Sequence, residues 1–165
     1  MAVRTILRYP DPLLSRPCAR VSSFDAQLKN LCDDLLDTMR AAPGVGITAA
    51  HIGVDQRVSV IQLAPDQPLY IHINPEIVSA SGDLQRFTEG SVSMPGMTDD
   101  VERPSRIEFR YQDLEGQIFT DHAEGFLATC IQHEIDQLDG IFWIRKLSRL
   151  KRDRLLKKWE KHSVR

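Results

Sequence analysis

The sequence is poor in cysteine and contains no long apolar run. Its three cysteines, Cys18, Cys32 and Cys130, are too few and too widely spaced for the disulfide framework of a small secreted protein, so we expect reduced thiols. No run reaches the roughly 18 apolar residues that a membrane-spanning helix needs. Residues 1–4 also lack the apolar stretch of a signal peptide. These absences exclude a membrane-spanning protein and predict a cytoplasmic one.

Positive charge is scarce before residue 145. The formal net charge is −2, yet residues 145–165 contain ten Lys or Arg against two acidic residues, which leaves −10 for the first 144 residues. A basic tail of this kind offers a surface for RNA. The alternative is a solvated helix that packs on the domain through its leucines. The sequence leaves both interpretations open.

The length and composition indicate one globular domain over residues 1–165. Of these residues 42% are hydrophobic, and no repeat or interdomain linker divides the chain. Helical periodicity predicts three helices, over about residues 25–42, 124–138 and 148–161. Short β-like runs lie between them, at 58–61, 69–73, 77–78 and 106–111, and Asn74-Pro75 is predicted to be a turn. This succession predicts an α+β fold.

Three segments carry residue types that are suited to chemistry. Residues 44–53 surround one histidine with three glycines, and residues 89–96 form a polar, turn-prone loop. Residues 132–138 lie on a predicted helix, where His133 and Gln137 share one face, as the two histidines of an H-E-x-x-H metal motif do. Taken singly, these segments indicate a tight loop, an ordinary loop and a structural His–Glu pair.

Together the three segments resemble the motifs of peptide deformylases. That family has G-x-G-L-A-A-x-Q, E-G-C-L-S and Q-H-E-x-D-H in this order and at this spacing, and the present chain has G-V-G-I-T-A-A-H, E-G-S-V-S and Q-H-E-I-D-Q. The resemblance covers essentially the whole chain. It implies a monomer with the α+β peptide deformylase-like fold. In that fold antiparallel sheets pack around the central helix that carries the HExxQ motif, with further N- and C-terminal helices.

The resemblance also assigns the positions of metal ligands. In the family a divalent metal, commonly ferrous iron, is held by the cysteine of the second motif and the two histidines of the third. Those positions hold Ser91, His133 and Gln137 here. A hydroxyl and an amide bind iron, zinc or nickel far less well than a thiolate and an imidazole. We therefore expect no metal or a weakly bound one, and metal-dependent activity that is lost or strongly reduced.

Catalytic and substrate-binding positions follow from the same resemblance. The family removes the formyl group from the N-terminal methionine of nascent proteins. Glu134 stands at the position of the general acid or base, the Val92 amide at that of an oxyanion donor, and His51 at that of the family's glutamine. Gly46 lies in the substrate loop. The substrate-binding positions are Gly44, Val45, Gly46, Glu89 and Gly90.

Several functions remain open for such a chain, and with them its status as an enzyme. One candidate is a module that binds formylated or other N-terminal peptides. Another is a hydrolase with a rewired metal site made of His51, His133 and Glu134. Metal-free hydrolysis with Ser91 as nucleophile and a histidine base is a further alternative. The last alternative is that the chain has lost its function and that Ser91, Gln137 and His51 are merely tolerated substitutions.

Two partners are expected from the resemblance. One is the N-terminal peptide of a nascent chain, which the cleft would receive. The other is the ribosome, on which the C-terminal helix of some deformylases docks, and the basic residues after position 145 are the candidate contact here. No membrane partner is expected.

Overall fold

Three α-helices and seven β-strands make up residues 2–163, the part of the chain that the computed structural model describes. The helices are α1 (Ala26–Ala41), α2 (Gly125–Leu138) and α3 (Arg149–Ser163). The strands are β1 (Gly46–Thr48), β2 (Val58–Ile61), β3 (Tyr70–Ala80), β4 (Leu84–Gly90), β5 (Thr98–Pro104), β6 (Arg106–Gln112) and β7 (Ile118–Glu124). Short 3-10 helices cover Pro12–Ser15, Ala49–Ile52 and Trp143–Lys146.

The strands form two antiparallel sheets. One sheet has five strands in the order β1-β2-β3-β6-β7, and the other is the β4-β5 hairpin. Helix α2 contacts strands of both sheets and is therefore the central helix of the domain. The predicted α+β class, with antiparallel sheets around the helix that carries the third motif, is confirmed.

Helix α1 covers one face of the five-stranded sheet. It begins after Asp25, whose side chain accepts a hydrogen bond from the Leu28 amide at 3.1 Å and so caps the helix start. Its apolar stripe, which includes Leu35 and Met39, packs against β1 and β2. Burying each such side chain stabilises the fold by about 1.5–3 kcal/mol. The apolar periodicity that predicted α1 therefore corresponds to the face of the helix that is buried in the domain.

Strand β3 corrects the sequence prediction at Asn74-Pro75. The predicted turn is instead part of one continuous strand, in which the pairing with β6 shifts register between Ile73 and Glu76. Asn74 has a φ of 52°, and its side chain accepts from the Val21 amide at 2.7 Å and donates to the Val21 carbonyl at 2.9 Å. A bulge of this kind absorbs the proline without ending the strand.

Strands β5 and β7 were not predicted, because little apolar alternation marks them. In β7 only one of seven residues, Ala123, is buried, and in β5 only Val101 and Arg103 are. Their pairing with β4 and β6 comes from backbone hydrogen bonds rather than from burial of an apolar face. Hydrophobic periodicity does not detect such strands.

Helix α3 packs on the domain through two residues one turn apart. Leu155 and Trp159 are buried, and the Trp159 Nε1–H donates to the Tyr9 carbonyl at 3.1 Å. The Arg8 guanidinium lies 5.0 Å from the centre of the Trp159 ring, which adds a cation–π contact. Within residues 2–163 no helix is both long and apolar enough to span a membrane.

A histidine lies inside the aromatic cluster of the five-stranded sheet. His72 is 2% exposed, and its ring centre lies 5.2 Å from that of Phe109 and 4.4 Å from that of Tyr111. Burial lowers the pKa of His72 from 6.5 to about 4, and the charge of Asp121 offsets only part of this effect. The folded protein therefore holds His72 neutral.

Acid should destabilise the protein through His72. Below pH 6.5 the unfolded chain takes up a proton that the folded chain refuses until about pH 4. Over that range the free energy of unfolding should fall by up to about 3 kcal/mol from this group. Urea unfolding at several pH values should give a shallower pH dependence for His72→Phe than for wild type. The exposed residue His122 provides the control variant His122→Phe. If the free energy of unfolding depends on pH equally in wild type and His72→Phe, or if His122→Phe flattens that dependence as much as His72→Phe does, this assignment is wrong.

Candidate active site

One cavity of about 490 Å³ brings the three motif segments together. Its walls are β1 with the loop before it, the end of β4 with the loop after it, and α2. The predicted site residues in these walls are Gly44, Val45, Gly46, His51, Glu89, Gly90, Ser91, Val92, His133 and Glu134. Gln137 is the one predicted site residue that does not line the cavity. The structure therefore brings ten of the eleven predicted positions to one cavity.

Glu134 lies at the inner wall of the cavity, directly against β1. A Cβ atom at position 46 would lie 2.6 Å from Glu134 Oε2, so only glycine allows the strand to pass this close. Glu134 is 3% exposed, and no group within residues 2–163 makes a hydrogen bond to its Oε1. Burial raises the pKa of Glu134 to about 7, although the neighbouring His133 acts in the opposite direction.

A chain of charged groups holds His133 in place. His133 Nδ1 lies 2.8 Å from Glu89 Oε1, and Arg103 donates to both oxygens of Glu89 at 2.6 and 3.0 Å. Arg103 also donates to Asp136 at 2.8 Å. These bonds keep the pKa of Glu89 at about 2 despite its burial, so Glu89 accepts and His133 donates its Nδ1 proton. Burial acts to lower the pKa of His133, but the hydrogen bond to Glu89 and the charge of Glu134 outweigh it and raise this pKa above its ordinary value.

Arg103 was missed by the sequence analysis. It is 4% exposed on β5, a strand that apolar patterning did not predict. The two acidic residues that it joins, Glu89 and Asp136, stand inside recognisable motifs and require a cation if they are buried. No feature of the sequence identifies which basic residue supplies it.

His51 is held in one tautomer by its own helix turn. Its Nδ1 accepts a hydrogen bond from the Thr48 backbone amide at 2.9 Å, so the neutral ring carries its proton on Nε2. Burial is the main cause that lowers the pKa of His51 to about 3, and the charge of His133 adds to this effect. The ring is therefore neutral. Nε2 has no protein partner within residues 2–163. His51 therefore offers the cavity an N–H donor.

Ser91 and Gln137, at the two replaced ligand positions, form ordinary structural hydrogen bonds. The Ser91 hydroxyl accepts from the Ser93 amide at 3.1 Å. The Gln137 side chain is 2% exposed, and its nitrogen donates to the Leu14 carbonyl at 2.7 Å. That bond ties α2 to the 3-10 helix at Pro12–Ser15. Gln137 thus serves packing between elements and does not face the cavity.

Comparison with known proteins identifies the family. The model of the polypeptide deformylase family matches residues 3–153. The chain belongs to this family. A peptide deformylase-like protein of Agrobacterium fabrum is 65% identical over 98% of both chains, and one of Brucella melitensis is 58% identical over 98% of both.

Solved deformylases have the same fold. The crystal structure of a peptide deformylase from Legionella pneumophila superposes with a TM-score of 0.90, at 40% identity and 99% coverage of both chains. That of the Ehrlichia chaffeensis enzyme in complex with actinonin gives a TM-score of 0.92, at 36% identity and 98% coverage. The predicted family and fold are confirmed along essentially the whole chain.

The side chains present do not fit the metal that a deformylase binds. Among residues 2–163, no three His, Cys, Asp or Glu side chains are grouped so that they could hold a metal ion. Of the three ligand positions, His133 keeps a metal-binding group, Ser91 offers a neutral hydroxyl, and the amide nitrogen of Gln137 is committed to Leu14. Iron and zinc sites in proteins are built mainly from thiolate, imidazole and carboxylate ligands.

The alternative site of His51, His133 and Glu134 is not assembled either. To bind a metal, His51 Nε2 would have to lose its proton to Nδ1, where that proton would face the Thr48 amide N–H. Two donors would then oppose each other inside the protein, which leaves a buried donor unpaired. Ser91 is likewise not paired with a base, since no hydrogen bond joins it to His51 or His133 within the described residues.

Removal of the Arg103 guanidinium should strongly destabilise the protein. Arg103→Leu removes the guanidinium that pairs with the buried Glu89, and loss of one partner of a buried ion pair costs about 3–5 kcal/mol. The matched control is Arg106→Leu on β6, whose exposed pair with Asp83 contributes less than about 1 kcal/mol. Urea unfolding should separate the two variants. Equal midpoints would contradict the assigned role of Arg103.

Proposed function

We propose that this protein is a monomeric, cytoplasmic peptide-binding module that receives the N-terminus of nascent chains and has lost metal-dependent deformylation. One observation carries the proposal: the side chain at the third ligand position, Gln137, is turned away from the cavity and bonded to the Leu14 carbonyl at 2.7 Å. With Ser91 at another ligand position, one imidazole remains where the family uses three strong ligands. Nothing then lowers the pKa of an attacking water.

The cleft itself supports peptide binding. Strand β1 is an edge of the five-stranded sheet and pairs only with β2 among the described strands. The start of β1 at Gly46 and the two residues before it form one wall of the cavity. An extended peptide placed there adds a strand through backbone hydrogen bonds, which need no metal. The opposite wall, at Ser91 and Val92, offers further backbone groups.

His51 supports the same function. The family uses a glutamine at this position, and a neutral imidazole with its proton on Nε2 also presents one N–H donor to the cavity. A peptide or formyl carbonyl is a suitable acceptor for it. In this proposal His51 replaces the donor function of the glutamine and does not bind metal.

Wild type should bind a short methionyl peptide without hydrolysing its formyl group, and a triple variant should recover hydrolysis. The variant is Ser91→Cys, Gln137→His, His51→Gln, which supplies the missing ligands and the family's donor. Because loss of even a supporting partner weakens metal binding about 10–100-fold, two restored ligands should raise metal affinity by at least about 100-fold. Isothermal calorimetry, metal analysis and a formyl-methionyl peptide assay measure the three properties.

Two controls belong with this experiment. The single variant His51→Gln keeps the two weak ligand positions, so it should gain neither metal nor activity. Chelator-treated wild type should bind the peptide as tightly as untreated wild type. Stoichiometric metal in wild type together with hydrolysis at ordinary enzyme rates would contradict the loss of activity. Absence of peptide binding would contradict the module.

We also propose that α3 contacts the ribosome. Leu155 and Trp159 fix one face of α3 on the domain, while Lys157 and Lys161 are exposed. Reversing both charges should lower co-sedimentation with ribosomes at least about tenfold at low salt, because contacts to phosphate depend on such charges. The control reverses two exposed charges outside α3, Lys29→Glu with Arg86→Glu. Equal losses in the two variants would remove α3 as the contact.

A further inference from the structure

The five-stranded sheet has two free edges, and they lie in different surroundings. Strand β1 borders the cavity of the candidate site, whereas no strand within residues 2–163 pairs with the outer side of β7. Five consecutive residues of β7, from 118 to 122, are exposed, so no loop or helix of the described chain covers this edge. Every second residue of an antiparallel edge strand directs its backbone N–H and C=O groups outwards, where they are free to bind another strand.

The sequence of β7 lacks the residues that most often prevent pairing at an exposed edge. Natural proteins place charges there, lysine above all, or proline, or they cover the edge. Strand β7 contains no Lys, Arg or Pro, and its charged residues are the acidic Asp121 and Glu124. Its first two residues, Ile118 and Phe119, are 61% and 38% exposed. The edge is therefore open to a further strand, and its charges determine which strand binds.

These charges disfavour a second copy of the chain and favour a basic partner. Residues 113–124 contain four acidic residues and no Lys or Arg, and both arginines of the neighbouring β6 are already paired with acidic residues. If two β7 strands paired about a two-fold axis at their middle, Asp121 would lie opposite Asp121 of the other copy. Like charges directly opposite each other destabilise a sheet. The same carboxylates attract a strand that carries Lys or Arg.

An aromatic pair at this edge lies beside one of the carboxylates. Phe119 and Tyr111 are cross-strand neighbours whose ring centres lie 5.7 Å apart, and the Tyr111 hydroxyl donates to Asp121 at 3.2 Å. Phe119 and Asp121 are two residues apart in β7, so they share one face of the sheet. A guanidinium placed there stacks on an aromatic ring and pairs with a carboxylate. This combination favours arginine on the added strand.

A second cavity borders the end of β7 and has room for another long basic side chain. Its volume is about 510 Å³, and it is lined by residues 79–81, 106–108 and 122–124, none of which lines the candidate site. Ile107 and Ala123 are apolar and buried, while Glu108 and Glu124 are acidic. The one arginine in the walls, Arg106, is paired with an acidic residue outside them. Lys and Arg pack their stems on apolar surface and keep the charged end near acidic groups.

We propose that the outer edge of β7 binds an extended, arginine-containing segment of another protein, which joins the five-stranded sheet as a sixth strand. This surface is separate from the candidate site, so the inference does not depend on the proposed function. Backbone hydrogen bonds supply the affinity and the side chains the specificity. Asp121 and Ala123 share one face of β7, so basic residues at every second position of the segment reach both the carboxylate and the second cavity.

The experiment uses a probe peptide with both ends blocked, acetyl-Arg-Val-Arg-Val-Arg-Val-Arg-amide. The matched ligand has the same charges but is N-methylated at every peptide nitrogen, so it cannot donate backbone hydrogen bonds. Calorimetric titration of wild type should show that the unmethylated peptide binds at least about tenfold more tightly. Its binding should also slow amide hydrogen exchange at residues 118–124 and leave exchange at residues 46–48 of β1 unchanged.

A pair of charge reversals tests the role of the β7 carboxylate. Asp121→Lys should weaken binding of the unmethylated peptide at least about tenfold, because it places a like charge opposite the arginines. The matched control is Glu102→Lys on β5, which makes the same charge change at an exposed residue outside β7 and should alter the affinity by less than about twofold.

Four results would overturn the proposal. Equal affinity for the two peptides, or no binding of either, excludes strand addition, and equal weakening by the two charge reversals reduces the effect to unspecific attraction. Slower exchange at residues 46–48 in place of 118–124 moves the peptide to β1. Dimers that protect residues 118–124 without any peptide assign this edge to a second copy of the chain. The methylated peptide tests strand addition on the unchanged protein, so a misfolded variant does not decide the result.

Discussion

The buried guanidinium of Arg103 is the interaction on which the site depends. It joins Glu89 at the end of β4 to Asp136 on α2, and through Glu89 it fixes the ring of His133. Three charged groups with little exposure are stable in one place only when their charges and hydrogen bonds are all satisfied. The small hairpin and the central helix therefore keep one relative position, and the cavity between them keeps its shape.

The charged frame behind the cavity does not depend on the side chains at the ligand positions. The polar network behind His133 is complete, while two of the three ligand positions hold a hydroxyl and an amide. Disrupting this network would leave buried charges without partners, which costs free energy whether or not a metal is bound. The network therefore contributes to stability independently of a metal. Ligands facing an open cavity carry no comparable structural penalty. This difference between the buried network and the cavity-facing ligands explains how the fold and the cleft are kept while two ligand positions hold a hydroxyl and an amide.

Sequence reasoning predicted the helices from local periodicity, and the motifs identified ten of the residues that line the cavity. Helix α1 has a cap and an apolar stripe, and the three motifs stand at recognisable spacing. The bulge at Asn74 and the contact of Gln137 with Leu14 depend on residues distant in sequence, so no local pattern predicts them. The tautomer of His51 requires the Thr48 amide to be in place, which only the folded 3-10 turn provides.

The hydrogen bond from Gln137 to the Leu14 carbonyl also links the third ligand position to the packing of the domain. A histidine restored at position 137 alone would give up that contact and gain no metal, since Ser91 would still stand at another ligand position. A cysteine restored at position 91 alone would likewise find one imidazole. Under the proposed loss of metal binding, we expect neither substitution alone to recover it, because neighbouring substitutions of this kind are not additive. If metal binding is lost as proposed, its recovery therefore requires coordinated changes at positions 91 and 137, and the second of these also alters the contact between α2 and the 3-10 helix at Pro12–Ser15.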